Sequence, residues 1–443
     1  MMLETQTLAL DQNQKMNGTP LRKTALYAWL VCGLGALFYC YEYFLRIAPS
    51  VMTNDLMRVY HIDAAMLGNL AAFYYYAYTP MQLPVGVLMD RYGPRRLLVF
   101  ACLLCSIGTY LFAESGHLGL AEIGRFMVGF GSAFAFVGVL KLATIWLPPQ
   151  RFAMIVGMAT ALGMVGACVG EVALAQLVKL QGWNKTIISS AAMGIVLALI
   201  ISLVLRDDPQ AMAGGGHYSR TSASFKQLFN GLFQLLKNPQ MWLVGLIGCL
   251  FYLPTSAFAE LWGIPYLERV YGLSSTAAAG AVSMIFLGWA FGGPLVGFIS
   301  DRLQRRCLPM IVGSVLGAVV LVAVLYLPHL SAFGIGALLF CLGVFSSVEN
   351  ITFAVGREIS PTNLAGTAIA LTNMLVMMGG VVFQPVIGIL LDWRWDGGVL
   401  STGVRVYPIN DYKMALIVLP IGFILAGILS LYLKETRCKV VEF

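Results

Sequence analysis

Charged residues are scarce in this chain of 443 residues. Asp, Glu, Lys and Arg together make up 11% of the sequence, whereas they make up about 25% of a soluble globular domain. Hydrophobic residues make up 59%, so the polar surface is too small to cover the chain in water. The shortage of charge therefore excludes an ordinary soluble protein and indicates one that lies in a lipid bilayer.

Two motifs of energy coupling and catalysis are also absent. No Lys follows a Gly, so the phosphate-binding loop GxxxxGK[ST] is missing, and an ion gradient, expected to be of H⁺, would have to supply the energy. HExxH is missing, and four histidines give no support for a catalytic or metal site. The nine cysteines are scattered, mostly in apolar runs, as expected of buried, reduced thiols. We expect no enzymatic activity, cofactor or metal.

Apolar runs of about 20 residues are present instead, each long enough to cross a hydrocarbon core about 30 Å thick. Their unbroken length favours helices over barrel strands. The sequence predicts an all-α polytopic membrane protein with twelve transmembrane helices, named spans 1 to 12 below. Their approximate boundaries are 25–48, 65–89, 96–114, 119–147, 152–178, 186–205, 240–264, 276–300, 308–328, 331–356, 363–391 and 412–433.

Basic residues concentrate in the loops at one end of this predicted bundle. The loops that hold Arg91, Arg302 and Arg357 are rich in them, and the loops on the opposite side hold few. By the positive-inside rule, the basic loops and both termini are expected in the cytoplasm, as in a bacterial inner-membrane protein. This placement explains the net charge of +7 without a nucleic-acid partner.

The longest connection between spans divides the chain into two bundles. It contains the flexible Gly214–Gly216 and the amphipathic stretch SFKQLFNGLFQLLK, which predict a cytoplasmic linker with a surface helix. The expected organisation is a cytoplasmic tail at 1–24, a six-helix bundle at 25–205, the linker at 206–238, a second six-helix bundle at 239–433 and a cytoplasmic tail at 434–443.

A charged loop motif occurs once in each bundle. In GVLMDRYGPRR and GFISDRLQRR, the residues Gly86, Asp90 and Arg91 match Gly297, Asp301 and Arg302 at a constant offset. A second match pairs PPQRFAMIVG after span 4 with SPTNLAGTAI after span 10, so that Pro149 corresponds to Pro361. Two matches at corresponding positions predict that the bundles are pseudo-repeats of one six-helix unit.

With this motif the chain resembles the major facilitator superfamily. The first copy has the full loop signature of that family, and the second departs from it because Gln304 stands where the second Gly would be. The resemblance implies a fold that works by alternating access, in which this loop latches the cytoplasmic side; the alternative is that its arginines only obey the positive-inside rule. The implied latch residues are Gly86, Asp90, Arg91, Gly93, Arg95, Arg96, Gly297, Asp301 and Arg302.

Charges inside the spans are functional candidates, because each costs roughly 3 kcal/mol or more at mid-bilayer. They are Glu42, Arg46, Arg125, Lys141, Glu171, Glu260 and Glu349. The resemblance implies that spans 1, 4, 7 and 10 line a central cavity. All of these charges lie on those four spans except Glu171, which lies on span 5. Arg125 begins the stretch RFMVG, similar to a span-4 motif of the family, which implies a role in coupling; an interfacial position is the alternative.

Glu42 and Arg46 are four residues apart on one helix face and can form an ion pair. The pair is either structural, or Arg46 binds an anionic group bidentately while Glu42 titrates or holds an ammonium group. Lys141 either extends to the surface or adds a second positive charge to the cavity. Glu260 and Glu349 have no local partner, so with Glu171 and Glu42 they are the candidates for proton coupling.

Tyrosines and amides near the cavity complete the expected substrate site. A Tyr side chain offers a flat apolar face and a hydroxyl group, which suits a polar organic solute. The expected contacts, besides Glu42, Arg46 and Lys141, are Tyr39, Tyr43, Tyr75, Tyr252, Trp262, Asn350 and Asn373.

The preferred reading is proton-coupled import of a small anionic or zwitterionic solute, such as an amino acid, a peptide or a siderophore-like carboxylate. The stretch YFLRIAPS resembles organic-anion and organophosphate porters, and together with the Tyr-rich span 2 it also resembles nutrient importers of intracellular bacteria. Span 7 offers Glu260 and no arginine, which disfavours organophosphate exchange. Ala167 after Gly166, where drug antiporters have a proline, disfavours efflux. Proton-driven efflux and a receptor without transport are the alternatives, and a monomer in the bilayer is expected.

Overall fold

The computed structural model describes residues 20–148, 151–207, 225–400 and 403–440. These residues are almost entirely helical, with one isolated bridge between Val399 and Arg405. Eleven helices are long and apolar enough to cross a membrane. The remaining span, span 2, is interrupted between Met81 and Val85, and its first segment carries four tyrosines that lower its hydropathy. The predicted all-α fold with twelve membrane helices is confirmed.

The six spans of the first half begin at Pro20 and end at Val204. Several of them consist of more than one helix. Span 1 comprises Pro20–Ile47, a 3-10 turn at Ala48–Met52 and Thr53–Tyr60; span 2 comprises Ala64–Met81 and Val85–Tyr92; spans 3 to 6 are Pro94–Glu114, Leu118–Trp146, Phe152–Gln181 and Trp183–Val204.

The second half repeats this arrangement, preceded by a short helix at Phe225–Leu236. Span 7 comprises Pro239–Leu253, a π-helix at Pro254–Trp262 and Gly263–Tyr271; spans 8 and 9 are Ser275–Leu303 and Cys307–Tyr326; span 10 comprises Ala332–Ser346, a 3-10 turn at Ser347–Glu349 and Asn350–Glu358; span 11 is Ala365–Arg394; span 12 comprises Ile409–Leu416 and Val418–Tyr432.

The packing of the helices has the same pattern in both halves. Span 1 packs on spans 4 and 5, span 2 on span 4, and span 3 on spans 4 and 6. The corresponding contacts in the second half join span 7 to spans 10 and 11, span 8 to span 10, and span 9 to spans 10 and 12. The halves meet where span 2 packs on span 11 and span 5 on span 8, two contacts that the pseudo-two-fold relation exchanges.

The two ends of the bundle are named after residues that lie there. The Asp90 end carries the two Asp-Arg loops, and the Asp392 end carries the connections after spans 1, 7 and 11. At the Asp392 end, spans 2 and 11 approach with backbone against backbone. A Cβ atom on Gly68 would lie 2.4 Å from the carbonyl oxygen of Gln384, and one on Gly388 would lie 2.2 Å from that of Ala64. No side chain separates the halves at these points.

The GxxxG glycines serve contacts within each half. A Cβ atom on Gly166 of span 5 would meet Cys40 of span 1, and one on Gly292 of span 8 would meet Val344 of span 10. Small residues at this spacing therefore allow close packing where span 1 crosses span 5 and where span 10 crosses span 8.

Some predicted features fall outside the described residues, namely most of the tail 1–24, Pro149 and the linker glycines Gly214–Gly216. The amphipathic helix of the linker is present at Phe225–Leu236, where Gly231 contacts Leu364 before span 11.

The nine cysteines are free thiols. Cys102 and Cys105 have C-x-x-C spacing, but both are buried inside span 3.

Candidate functional site

Three of the charged spans depart from regular helix beside their charged residue. In span 1 the 3-10 turn Ala48–Met52 follows Arg46, in span 7 the π-helix Pro254–Trp262 contains Glu260, and in span 10 a 3-10 turn ends at Glu349. Pro49 and the first residue of the π-helix, also a proline, cannot donate a backbone hydrogen bond, so both disturb the helix there. Irregular turns of this kind inside helices frequently mark functional sites.

Arg46 and Glu42 form the predicted i,i+4 ion pair, and both side chains are buried. The Nε and Nη2 atoms of Arg46 donate to the same oxygen, Oε1 of Glu42, at 2.9 and 2.5 Å. The Tyr74 hydroxyl donates to this oxygen as well and accepts from Arg46 Nε at 3.0 Å. The other carboxylate oxygen of Glu42 is buried and has no hydrogen-bond partner among the described residues. Glu42 therefore keeps a free acceptor site.

Aromatic rings surround the Arg46 guanidinium. Its central carbon lies 4.5 Å from the ring centroid of Tyr43, 5.1 Å from that of Tyr74 and 4.8 Å from that of Tyr78. The Tyr39 hydroxyl extends this group through a contact of 3.5 Å with the hydroxyl of Tyr43. Ring faces stabilise a cation without neutralising it, so Arg46 retains a positive charge that an anion can approach.

The second half of the chain supplies the remaining contacts of Arg46. Its Nη1 atom donates to the Tyr252 hydroxyl at 3.4 Å and lies 4.0 Å from Oε1 of Glu260. The other oxygen of Glu260 accepts from the Tyr75 hydroxyl of the first half, whereas Oε1 is buried without a hydrogen-bond partner among the described residues. Arg46 is thus held tightly by its own half and loosely by the other.

Arg125 anchors span 4 to span 1. Its two terminal nitrogens donate to the backbone carbonyls of Leu45 and Arg46 at 3.0 and 3.4 Å, and its side chain is buried. The glycine four residues later, Gly129, places span 4 directly on the backbone of Tyr74. Arg125 is therefore buried between spans 1 and 4, and its role in coupling stays a prediction.

The other proton-coupling candidates lie apart from the ion pair. Both carboxylate oxygens of Glu171 contact the Ser50 hydroxyl, at 3.2 and 3.1 Å, and Glu171 has no exposed surface. Glu349 is buried in the 3-10 turn of span 10, and no described residue forms a hydrogen bond or an ion pair with its carboxyl group.

Three further predicted substrate contacts have other partners in the structure. Asn373 of span 11 donates to Gln82 of span 2 at 2.8 Å. The Trp262 indole donates to the backbone of span 11, and Asn350 lies against Gly293 of span 8. These three predicted substrate contacts stay predictions.

Lys141 forms an ion pair with Asp90 at 2.7 Å, at the Asp90 end. The positive charge expected in the cavity is thus already paired with the first Asp-Arg loop, so a second free cation beside Arg46 is not found there.

The first Asp-Arg loop turns at Gly93, whose φ of +84° favours glycine. Arg95 contacts Asp207 and Ser202, Arg91 lies over the Tyr92 ring, Arg96 is exposed, and the added Cβ atom of Gly86 would meet nothing.

The second Asp-Arg loop has a different network. Arg306 bonds Asp301 at 2.7 Å and Glu358 at 2.6 Å, and the Thr436 hydroxyl bonds Glu358. Gln304 adopts the left-handed conformation, with φ of 51°, at the position where the first copy has glycine. Arg302 is exposed, and an added Cβ on Gly297 would meet nothing within 4 Å.

At the opposite end, Asp392 joins the two halves. Its carboxylate accepts from the backbone N–H groups of Ala64 at 3.4 Å and Ala65 at 2.7 Å, which begin span 2. It also accepts from Arg405 at 3.0 Å and from the Tyr407 hydroxyl. A carboxylate from span 11 therefore caps the N-terminus of span 2.

Sequence reasoning missed several members of these networks. The FYYYAY stretch holds Tyr74 and Tyr78 four residues apart, which is a signal for one shared face, but the prediction included only Tyr75. Arg306, Glu358 and Asp392 lie at span ends, where a charge is unremarkable in sequence. Ser50 carries no distinguishing signal except that it follows Pro49.

The sequence profile of the Major Facilitator Superfamily matches residues 32–392, most of the chain. The chain belongs to this superfamily. It is therefore a multi-pass membrane protein of a transporter family rather than an enzyme.

Three relatives are each 23% identical to the chain. The probable sulfoacetate transporter SauU of Cupriavidus necator is 23% identical over 62% of this chain and 66% of its own length. The probable galactarate/D-glucarate transporter GudP of Escherichia coli is 23% identical over 89% and 93%. The membrane sensor protein UhpC of Escherichia coli is 23% identical over 85% and 87%.

A solved structure shares the fold. A bacterial homologue of the human lysosomal transporter Spinster superposes with a TM-score of 0.76, at 17% identity, over 93% of this chain and 97% of that one.

Proposed function

We propose that this secondary transporter imports a small organic anion together with protons, and that Arg46 binds the anionic group. The observation that carries the proposal is the asymmetric setting of Arg46, with a tight ion pair to Glu42 in its own half and a loose one, at 4.0 Å, to Glu260 in the other half. The names of SauU and GudP, a sulfoacetate and a galactarate/D-glucarate transporter, support an anionic solute.

The loose contact suggests how anion and proton binding are linked. An ionised Glu260 competes with an incoming carboxylate for Nη1 of Arg46, because both are negative and the site is shielded from water. A proton on Glu260 removes this competition and leaves the guanidinium free for a bidentate contact. Binding of the proton therefore favours binding of the anion, which is the requirement for symport.

Import follows from the expected topology. With the basic loops and both termini on the cytoplasmic side of a bacterial inner membrane, the Asp392 end faces outward, and the inward proton gradient drives the solute inward. An ammonium group on the solute would have Glu42 as its partner, through the carboxylate oxygen that lacks a hydrogen bond, so zwitterions belong to the same proposal.

The test uses sealed liposomes that contain the purified protein and a pH-sensitive dye. D-glucarate, sulfoacetate, amino acids, dipeptides and phosphate esters are added outside, one class at a time. We expect one class of carboxylate or sulfonate to acidify the interior, and Arg46→Ala to abolish the signal. Retained uptake with Arg46→Ala would contradict the site, and exchange of a trapped cationic dye for protons would instead indicate efflux.

A second candidate is a receptor that binds the anion without moving it. The similarity to the membrane sensor UhpC over 85% of this chain favours it. The same liposomes distinguish the two, because a receptor would show ligand-dependent stabilisation of the protein in a thermal assay with no acidification and no exchange of labelled anion.

A further inference from the structure

We propose that Glu171 is a second proton-binding site, that it exchanges protons with the Asp392 end, and that the Ser50 hydroxyl is the relay. The inference rests on the proposed function, because it adds a route for the protons that the proposed symport consumes. It is carried by a cavity, a hydrogen bond and the burial of three neighbouring residues.

A cavity of about 400 Å³ lies between spans 1, 5, 7 and 8 on the side of the Asp392 end. Its lining includes Asn54, Lys179, Glu268 and Ser275, so it is polar enough to hold water. A second cavity of about 190 Å³ shares Asn54 and Glu268 with it and reaches Arg405 and Tyr407. The two form one polar vestibule above the core of the bundle.

Ser50 is the floor of the larger cavity and the partner of Glu171 at once. Ser50 is among the residues that line this cavity, yet it has 0% exposed surface, and the next two residues, Val51 and Met52, are buried as well. The Ser50 hydroxyl donates to the backbone carbonyl of Ile47 at 2.7 Å, and the two carboxylate oxygens of Glu171 lie 3.2 and 3.1 Å from the same hydroxyl oxygen. One hydroxyl group therefore separates the vestibule from a carboxyl group that water does not reach.

The surroundings of Glu171 suit proton storage better than charge pairing. None of the described residues forms an ion pair with it, in contrast to Glu42, which has Arg46. The titratable groups that interact with it are Glu260 of span 7 and Cys168 of its own span. From the other elements packed on this part of span 5, span 1 contributes Ser50, and span 8 contributes Ser283, which lies beside Cys168. An unpaired ion buried in such a site is costly, so the neutral acid is favoured.

The proton step needs no further reactant. The Ser50 hydroxyl turns from the Ile47 carbonyl toward Glu171. A hydronium ion in the vestibule then gives a proton to the Ser50 oxygen and becomes water, while the O–H bond of Ser50 breaks and its proton forms a new O–H bond on Glu171. The hydroxyl is regenerated and the carboxylate becomes the neutral acid. Release to the vestibule is the reverse sequence.

Access to the relay depends on the conformation. Ser50 belongs to the 3-10 turn that follows Arg46, so the turn that covers the relay is joined through four residues to the proposed anion site. In the structure the turn packs on the π-helix of span 7, which contains Glu260. Separation of the halves at the Asp392 end would expose Ser50 to water and open the route.

The test compares net uptake with exchange in liposomes, with labelled D-glucarate or sulfoacetate as the probe. Glu171→Gln and Ser50→Ala should each slow proton-driven uptake by about 100-fold, whereas anion exchange at equal pH on both sides should stay within about twofold of the native rate. Ser50→Thr keeps a hydroxyl and should restore uptake. Native uptake in both variants, or loss of exchange together with uptake, would overturn the proposal.

A second measurement keeps this result separate from the proposed function. If the native protein moves neither probe, the proposed function fails for these solutes, and infrared difference spectra after a pH jump then test Glu171 directly. A carboxylic-acid band should disappear in Glu171→Gln and respond more slowly in Ser50→Ala, with Ser50→Thr normal. A band unchanged in Glu171→Gln would overturn the proposal.

Discussion

Arg46 Nη1 and Glu260 Oε1 lie 4.0 Å apart, although the two residues belong to different halves of the protein. The separation is too long for a hydrogen bond and short enough for a strong charge interaction where water is excluded. The alternating access expected of this fold would make and break such a contact between the halves. The following predictions depend on it or on the contacts around it.

Replacement of Arg46 by lysine should weaken anion binding although the positive charge is kept. Arg46→Lys keeps a positive charge but loses the planar fork, and we expect the apparent affinity for the transported anion to fall by about 2–5 kcal/mol, the range for truncation of a buried charge pair. Arg58→Ala is the control, because its pair with Asp55 is half exposed and should change affinity little. Equal effects of the two variants would contradict a binding role for Arg46.

Glu260→Gln should separate anion transport from protons. The amide cannot release a proton and does not compete as an anion for Arg46, so exchange of labelled anion should persist while a pH gradient no longer drives accumulation. Glu349→Gln is the comparison, because it removes another buried, unpaired carboxyl group. If only Glu349→Gln abolishes accumulation, the coupling site lies in span 10 instead.

Added methyl groups at the seam between spans 2 and 11 should open the Asp392 end. The Cβ atoms of Gly68→Ala and Gly388→Ala would collide with backbone of the other half, which cannot yield as a side chain can. We expect a cysteine introduced at Thr53 to react faster with a membrane-impermeant maleimide in these variants. Gly33→Ala meets nothing within 4 Å and should leave the rate unchanged; an equal rate in all three variants would exclude a closed seam.

The Asp90–Lys141 pair should show a measurable but small coupling. Both side chains are partly exposed, so a double-mutant cycle with Asp90→Asn and Lys141→Met should give about 0.2–1 kcal/mol in thermal unfolding. The effect on transport should be larger, because the pair joins the first Asp-Arg loop to span 4. Additive transport defects in the double variant would show that the pair does not act as a unit.

The C-terminal tail should detach in acid. Partial burial works against ionisation of Glu435, but the backbone N–H groups of Arg306 and Cys307 outweigh it and lower the pKa of this carboxyl group. A lowered pKa in the folded state means that the stabilisation is present above the ordinary value of about 4 and is lost as the pH falls through the lowered one. Hydrogen exchange at residues 434–440, corrected for intrinsic rates, should rise in that window, and Glu435→Gln should raise it already at neutral pH.

Patterns of apolar length and repeated motifs suffice to predict the fold, because a bilayer leaves few ways to satisfy the backbone. The i,i+4 pair of Glu42 and Arg46 follows from helix geometry in the same way. The contact with Glu260 does not, since it depends on how two separate bundles face each other. The pairing of Lys141 with Asp90 also depends on which way span 4 is rotated, which its apolar sequence leaves open.

The irregular turns explain the remaining differences. A proline such as Pro49 indicates a disturbed helix, but the sequence does not tell whether the result is a 3-10 turn, a π-helix or a kink. In span 1 the 3-10 turn rotates Ser50 toward span 5, and so links it to Glu171.

The glycine seam at the Asp392 end bears on leakage of water and protons through the protein. Backbone meets backbone there at Gly68 and Gly388, with no flexible side chain that could move aside to admit a file of water. The seam has no half-open arrangement that keeps its contacts, so the end is either shut or parted over its whole length. In the proposed symport, a seam of this kind would keep protons from passing through an empty carrier.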